Sequence, residues 1–185
     1  MLTVKERGQF VATLRYVHVS LMETLAAWVP TTPEMEVKLL FGEHIWDVAQ
    51  HADNLGKRTF ELRLPLQKSM RPADGYADLL ATVAAIEATP QRLAAMYDVL
   101  LPALVGRQRR YVEQTDKLVD APTVRILERF LADAARMIDA AHALRHELPA
   151  LQLADRQWAA ALRTREAGLD LLAADVPAEN AAMGA

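Results

Sequence analysis

The chain has 185 residues, 52% of them hydrophobic, with seven glycines, no cysteine and a formal net charge of −3. The lack of cysteine excludes disulfides, thiolate metal sites, iron–sulfur clusters and cysteine nucleophiles, so a metal would have to use His, Asp or Glu. The mild negative charge gives no electrostatic reason to expect nucleic acid. No apolar run reaches membrane-spanning length, and the charged start Met1-Leu-Thr-Val-Lys-Glu-Arg7 lacks a signal peptide's apolar stretch, so a cytoplasmic protein is expected.

Long Ala/Leu-rich stretches with few β-branched runs favour helix nearly throughout, and the length fits one all-α domain. The spacing predicts a first helix from about Thr3 to Trp28, ended by Pro30 and the Thr31-Thr32-Pro33 turn. Pro33 opens a second helix that runs to about Arg63, with Gly56 as a candidate break. Residues 64–74, with Pro65 and Pro72, read as a crossing loop before a short helix at 76–88. Thr89-Pro90 starts a third long helix to about Leu118, kinked at Pro102, where a backbone donor is missing. Asp120-Ala-Pro-Thr makes a turn, and the fourth long helix runs from Pro122 or Thr123 to Leu148, stopped by Pro149. A last amphipathic helix at 152–167, with Leu153, Trp158 and Leu162 as its apolar side, packs on the outside. Residues 1–150 thus form a helical bundle, 151–175 an accessory helix and 176–185 a frayed tail. Two hairpins joined by a long connection describe a four-helix bundle with a crossover.

Rotation by about 100° per residue places the polar groups on these helices. His18 falls inside the apolar arc of the first helix, whereas Glu23 lies opposite it. On the second helix His44 and His51 sit on the shoulder of the arc, with Asp47 slightly further out. Tyr97, Gln108 and Tyr111 point inward from the third helix, while Asp98 and Glu113 point away. His142 borders the arc of the fourth helix, with Asp139 and His146 further round. Counting from the first hairpin turn puts His18 and His44 at one depth, close enough to meet, and His51 about 10 Å deeper. Asp47 either orients the His44 imidazole or pairs with Arg15. Arg107, Arg109 and Arg110 read as solvated helix surface. Trp46 lies off its helix's arc and is available to a partner subunit or to the outer helix.

The stretch Glu36-Val-Lys-Leu-Leu-Phe-Gly-Glu-His-Ile-Trp-Asp-Val-Ala-Gln-His-Ala-Asp-Asn-Leu55, with Asp120-Ala-Pro-Thr-Val-Arg-Ile-Leu-Glu128 downstream, resembles bacterial ferritin-like domain proteins over about residues 8–148. The resemblance implies a ferritin-like bundle, whose best-known members hold two irons and handle oxygen. Such centres take a Glu from each of two helices and Glu-x-x-His from each of the others. This chain offers His44-x-x-Asp47, reversed in order, and Asp139-x-x-His142, with no inward carboxylate on the first or third helix. A standard di-iron centre is therefore not expected. The metal reading becomes a modified site for iron or another divalent metal drawn from His44, Asp47, His51, Asp139 and His142. A weaker resemblance to DinB-like metal-binding bundles implies a site of His51 with His142-x-x-x-His146, suited to zinc or nickel.

These residues describe an enzyme acting on a small organic molecule in a histidine-lined pocket, with His18, His44, Asp47 and Tyr97 as the catalytic candidates. Its chemistry is either that of a non-haem metal-dependent oxidoreductase or metal-free acid–base catalysis. A non-catalytic binding or structural bundle, paired as a homodimer through Trp46 or Trp158, is the alternative. No nucleic-acid or membrane partner is expected.

Overall fold

The computed structural model describes residues 2–173, and every described element is helical or a turn. Helix α1 (Val4–Trp28) opens with a capping box: Glu6 donates its backbone N–H to Thr3 Oγ1, and the Glu6 carboxylate accepts from the Thr3 backbone N–H. Pro30 lies in the 3₁₀ turn Val29–Thr31 that ends it, before α2 (Met35–Glu61). The last carbonyl of α1 is satisfied by Arg92, a buried guanidinium that donates to Trp28 O, Thr31, Thr32 and Ile86 O and stacks over the Trp28 ring. The Trp28 indole in turn donates to Ala84 O at the end of α3 (Asp74–Ala84).

Gly56 does not break α2. An added Cβ would sit 1.9 Å from Gln67 Oε1, because the crossing loop passes directly over this position. The Gln67 backbone N–H donates to Gly56 O, and its amide spans Arg15 and Asp53. Gly56→Ala is thus expected to destabilise by about 1 kcal/mol, although Ala is ordinarily the better helix former. A urea titration of the variant checks this, and a gain in stability would show that the loop yields freely.

The next rod is composite. It starts as α4 (Thr89–Leu93), continues as a π-helical stretch (Ala94–Leu100) and resumes as α5 (Leu101–Gln114). The Leu101 N–H donates to Met96 O, five residues back, so the hydrogen-bond ladder is irregular just before Pro102. Pro102 has no N–H for the Asp98 carbonyl four residues earlier, and Arg163 donates to that oxygen instead. The rod ends at Gln114 rather than Leu118. Helix α6 (Ala121–Glu147) carries Pro122 in its first turn, where a missing donor costs nothing. The 3₁₀ turn Pro149–Leu151 follows, so the last helix, α7 (Arg156–Ala167), starts later than its amphipathic pattern predicts. Its cap is Asp155, which accepts from the Gln157 and Trp158 backbones.

Helix α1 lies along α2, α2 on α6 and α6 on α5. The return from α5 to α1 is made by the stacked Phe10 and Tyr111 rings, 4.1 Å apart, and by the His18–Gln108 pair. Val11, Leu14, Val17 and Leu21 of α1 meet Phe41, Val48 and Leu55 of α2, and with Leu101, Leu104, Leu127 and Phe130 they fill one core. Burying such side chains stabilises by roughly 1.5–3 kcal/mol each. Helix α7 packs against the π-helical stretch and is pinned by Arg107, which donates twice to the buried Glu166 carboxylate and also lies over the Tyr76 ring. Arg107 is therefore part of the framework, not free surface. Among the described residues no helix is long and apolar enough to cross a membrane. The tail from 176 falls outside the described residues.

Candidate functional site

Three of the five histidines are interior. His18 and His44 are fully buried and His51 nearly so. Position along each helix decides this: His18 follows Leu14 and Val17 on the core face of α1, and His44 and His51 alternate with Phe41, Val48 and Leu55 on that of α2. His18 meets His51, not His44. Their ring centroids are 6.0 Å apart, and Phe130 of α6 presents its ring edge-to-face to both, at 4.8 and 5.3 Å. The equal-depth count from the hairpin turn fails because it treats the two helices as ending level at the turn.

Each interior imidazole has a polar neighbour at one ring nitrogen. His44 Nδ1 lies 2.7 Å from Tyr97 Oη. His18 Nε2 lies 3.3 Å from Gln108 Nε2. His51 Nε2 stands 3.0 Å from Asp133 Oδ2, an ion-pair distance off the direction of a hydrogen bond. The opposite nitrogens, His18 Nδ1, His44 Nε2 and His51 Nδ1, together with Gln108 Oε1, are buried without a hydrogen-bond partner. Unpaired buried polar atoms cost about 1–3 kcal/mol each and are uncommon in folded proteins.

Electrostatics keeps these rings neutral. Burial lowers His18 to about 3, helped by its neighbour His51. Burial likewise lowers His44 to about 4, with the Asp47 charge opposing and that of Arg136 assisting. His51 is lowered by burial despite the facing Asp133 carboxylate. Burial drives the Tyr97 phenol well above its ordinary range, so it too is neutral. Among the described residues Tyr97 Oη makes no other hydrogen bond, so its proton goes to His44 Nδ1, which leaves the ring proton on Nε2. His44 then presents an N–H donor. The negative Asp133 carboxylate 3.0 Å from His51 Nε2 favours, by charge, the tautomer with its proton on Nε2 and the lone pair on Nδ1.

The remaining candidates lie elsewhere. Asp47 is not the group that orients His44: it is held by Arg136, 2.7 Å away on α6, and Arg15 turns to Gln67 and Ser69. His142 is exposed and pairs with Asp98, while Asp139 and His146 face outward on the same helix. Asp98, expected to point away, is half-buried and accepts two hydrogen bonds from Arg145, each 2.7 Å. Burial raises the Asp98 carboxyl, but the bonds from Arg145 and His142 outweigh it and hold the group below the usual range.

A metal site does not follow from this placement. His44, Asp47, His51, Asp139 and His142 are not brought together. Among the described residues no group of three His, Asp or Glu side chains is placed to hold an ion. His142 and His146 likewise stay clear of His51. The carboxylates a di-iron centre would use are committed to arginines or, like Glu23 and Glu113, exposed.

Two groups went unread in the sequence. One is Asp133. The other is Asp120, a fully buried carboxylate that accepts from Arg58 and Thr123 on Oδ1 and from Tyr111 and Thr115 on Oδ2, at 2.6–3.0 Å. Burial raises its carboxyl, but these four donors outweigh that and hold it below the usual range. Beside it opens a groove of about 690 Å³ whose lining includes Phe10, Thr13, Met70, Arg110, Tyr111 and Leu171. A second, smaller cavity of about 320 Å³ lies between α3 and α7, near Trp158. No histidine lines either one. Comparisons of the chain with family models, with curated proteins and with solved structures return no match.

Proposed function

We propose that this chain is a proton-transfer enzyme for a small organic molecule, built on a ferritin-like helical scaffold without a di-iron centre. The observation that carries this reading is the set of buried, neutral imidazoles, each with a buried ring nitrogen that has no hydrogen-bond partner among the described residues. His44 and His51 supply complementary chemistry from one helix: an N–H donor, backed by Tyr97, and a lone-pair acceptor, whose imidazolium Asp133 would stabilise. Seven residues separate them, about 10 Å along α2, with His18 and Gln108 facing the His51 end. Removal of a proton beside a carbonyl by the His51 acceptor, with the His44 donor binding a polar group elsewhere on the same molecule, is the reaction class this pair suits. The groove beside Asp120 lies closest along the chain to these rings, and a substrate would enter by displacing side chains between the two. Tyr111 in its wall is one turn from Gln108 on α5, and Thr13 is five residues from His18 on α1.

Two measurements test this. In deuterated water, NMR of a panel of small aldehydes, ketones and keto acids should show protein-dependent exchange at the carbon next to the carbonyl, abolished by His51→Leu. Independently, His44→Leu with Tyr97→Phe removes donor and acceptor together. It is expected to raise stability by about 1–3 kcal/mol, because groups held for chemistry are a cost to the fold. A destabilised double variant, with no exchange in the wild type, would make the pair a structural bond and overturn the proposal.

A further inference from the structure

Helix α2 carries a second apolar line, diametrically opposite its core face. At 100° per residue Met35, Leu39, Trp46 and Phe60 fall within about 60° of one another, roughly 180° from the centre of Val37, Phe41, His44, Val48, His51 and Leu55. The four are 61–68% exposed, whereas those six are buried. Spacings of four, three, four and three from Met35 through Leu39, Gly42 and Trp46 to Ala49 make a heptad seam. A Cβ on Gly42 would meet nothing within 4 Å, so this midpoint of the seam is open to a close neighbour. The ion pair of Asp53 with Lys57 crosses the line further on and separates Phe60 from the rest.

We infer that this N-terminal half of α2, Met35 to Ala49, pairs with the same segment of a second copy of the chain, the two helices running parallel about a two-fold axis. Charge decides both occupant and direction. One flank of the seam carries Glu36 and Glu43, the latter exposed and also 3.2 Å from Arg136 of its own α6, and the other carries Lys38. An antiparallel two-fold would set each flank against its own kind and bring the glutamates together. A parallel two-fold sets Lys38 of each copy beside Glu43 of the other, five residues on, the spacing at which parallel paired helices form interhelical ion pairs. Leu39 and Trp46 then meet their own counterparts across the seam. Three large side chains supply on the order of 400 Å² per copy, below the roughly 800 Å² of a standard interface, so the pairing is weak and reversible.

Sedimentation of the full chain over a range of concentrations tests this. The expected result is a monomer–dimer equilibrium that Trp46→Glu weakens at least about tenfold. Lys38→Glu should weaken it by up to about fivefold, and Lys38→Glu combined with Glu43→Lys should restore it. All three positions are on the outside of α2, and circular dichroism confirms that the variants keep their helix. A chain that stays monomeric up to ~1 mM overturns the inference. So does a dimer indifferent to Trp46→Glu, which would place the contact elsewhere, as at Trp158. A dimer that the charge swap fails to restore would refute the parallel arrangement.

Discussion

Asp120→Ala is expected to cost about 3–5 kcal/mol, enough to lower the thermal midpoint of a chain this size by roughly 6–20 °C. The carboxylate is buried at the start of α6 and joins three helices through four donors: Arg58 of α2, Tyr111 of α5, Thr123 of α6, and Thr115 in the turn between α5 and α6. Its removal leaves the Arg58 guanidinium, 7% exposed, with Thr123 and the exposed Glu61 as its remaining partners, and it strips the Tyr111, Thr115 and Thr123 hydroxyls of their acceptor. A buried cation whose one remaining carboxylate is the exposed Glu61 is poorly compensated, which is the source of the large cost. Asp120→Asn keeps an acceptor and should cost less. Urea and thermal denaturation measure both, and a loss below about 1 kcal/mol for the alanine variant would show that water replaces the carboxylate without difficulty.

Acidification should destabilise the protein well before its carboxylates titrate. His18 and His44 take up a proton in the unfolded chain near 6.5 but in the folded chain only near 3 and 4. As pH falls below 6.5 the unfolded state binds more protons, so stability drops, by up to about 1.4 kcal/mol per pH unit for each group, until the folded values are reached. The two together should remove about 3–4 kcal/mol between pH 7 and pH 5. Asp98 and Asp120, both held below their ordinary 3.8, lose their contribution only as pH falls through 3.8, where the histidine window is closing, so the loss between pH 7 and pH 5 reports the imidazoles. Denaturant midpoints at pH 7 and pH 5 give the loss, and His18→Leu with Gln108→Leu should roughly halve it. Equal stability at the two pH values would mean that the imidazoles charge freely inside the fold.

How much of this was legible depended on whether the signal was local. Thr3 with Glu6, Pro30, Pro122 and Pro149 announce helix ends by short-range chemistry, and the long helices begin and end close to them. Periodicity alone also placed His18, His44, His51, Tyr97, Gln108 and Tyr111 inside. It failed where the chain leaves the 3.6-residue repeat: the π-helical stretch turns Asp98 toward Arg145, which a constant rotation cannot anticipate. Pairings between helices were out of reach. The approaches of His51 to Asp133, Asp47 to Arg136 and Arg58 to Asp120 depend on the stagger of α2 against α6, which no window of sequence contains. Asp120 was hidden for a further reason. An acid just before Ala-Pro at a helix start has the form of a solvent-facing cap, and only the Arg58, Tyr111 and Thr115 side chains from other segments give it an interior role.

The wide-wound segment Ala94–Leu100 also bears on how this rod tolerates changes in length. A ladder bonded five residues back holds one residue more than an ordinary helix of equal rise. Deleting a single residue there would let the backbone close into regular α form while the flanking parts keep their mutual phase, with Leu93 and Gln108 still facing the core. The same deletion a few positions later, in α5, would swing Gln108 and Tyr111 by about 100° away from α1. Natural indels in this rod should accordingly collect at one spot.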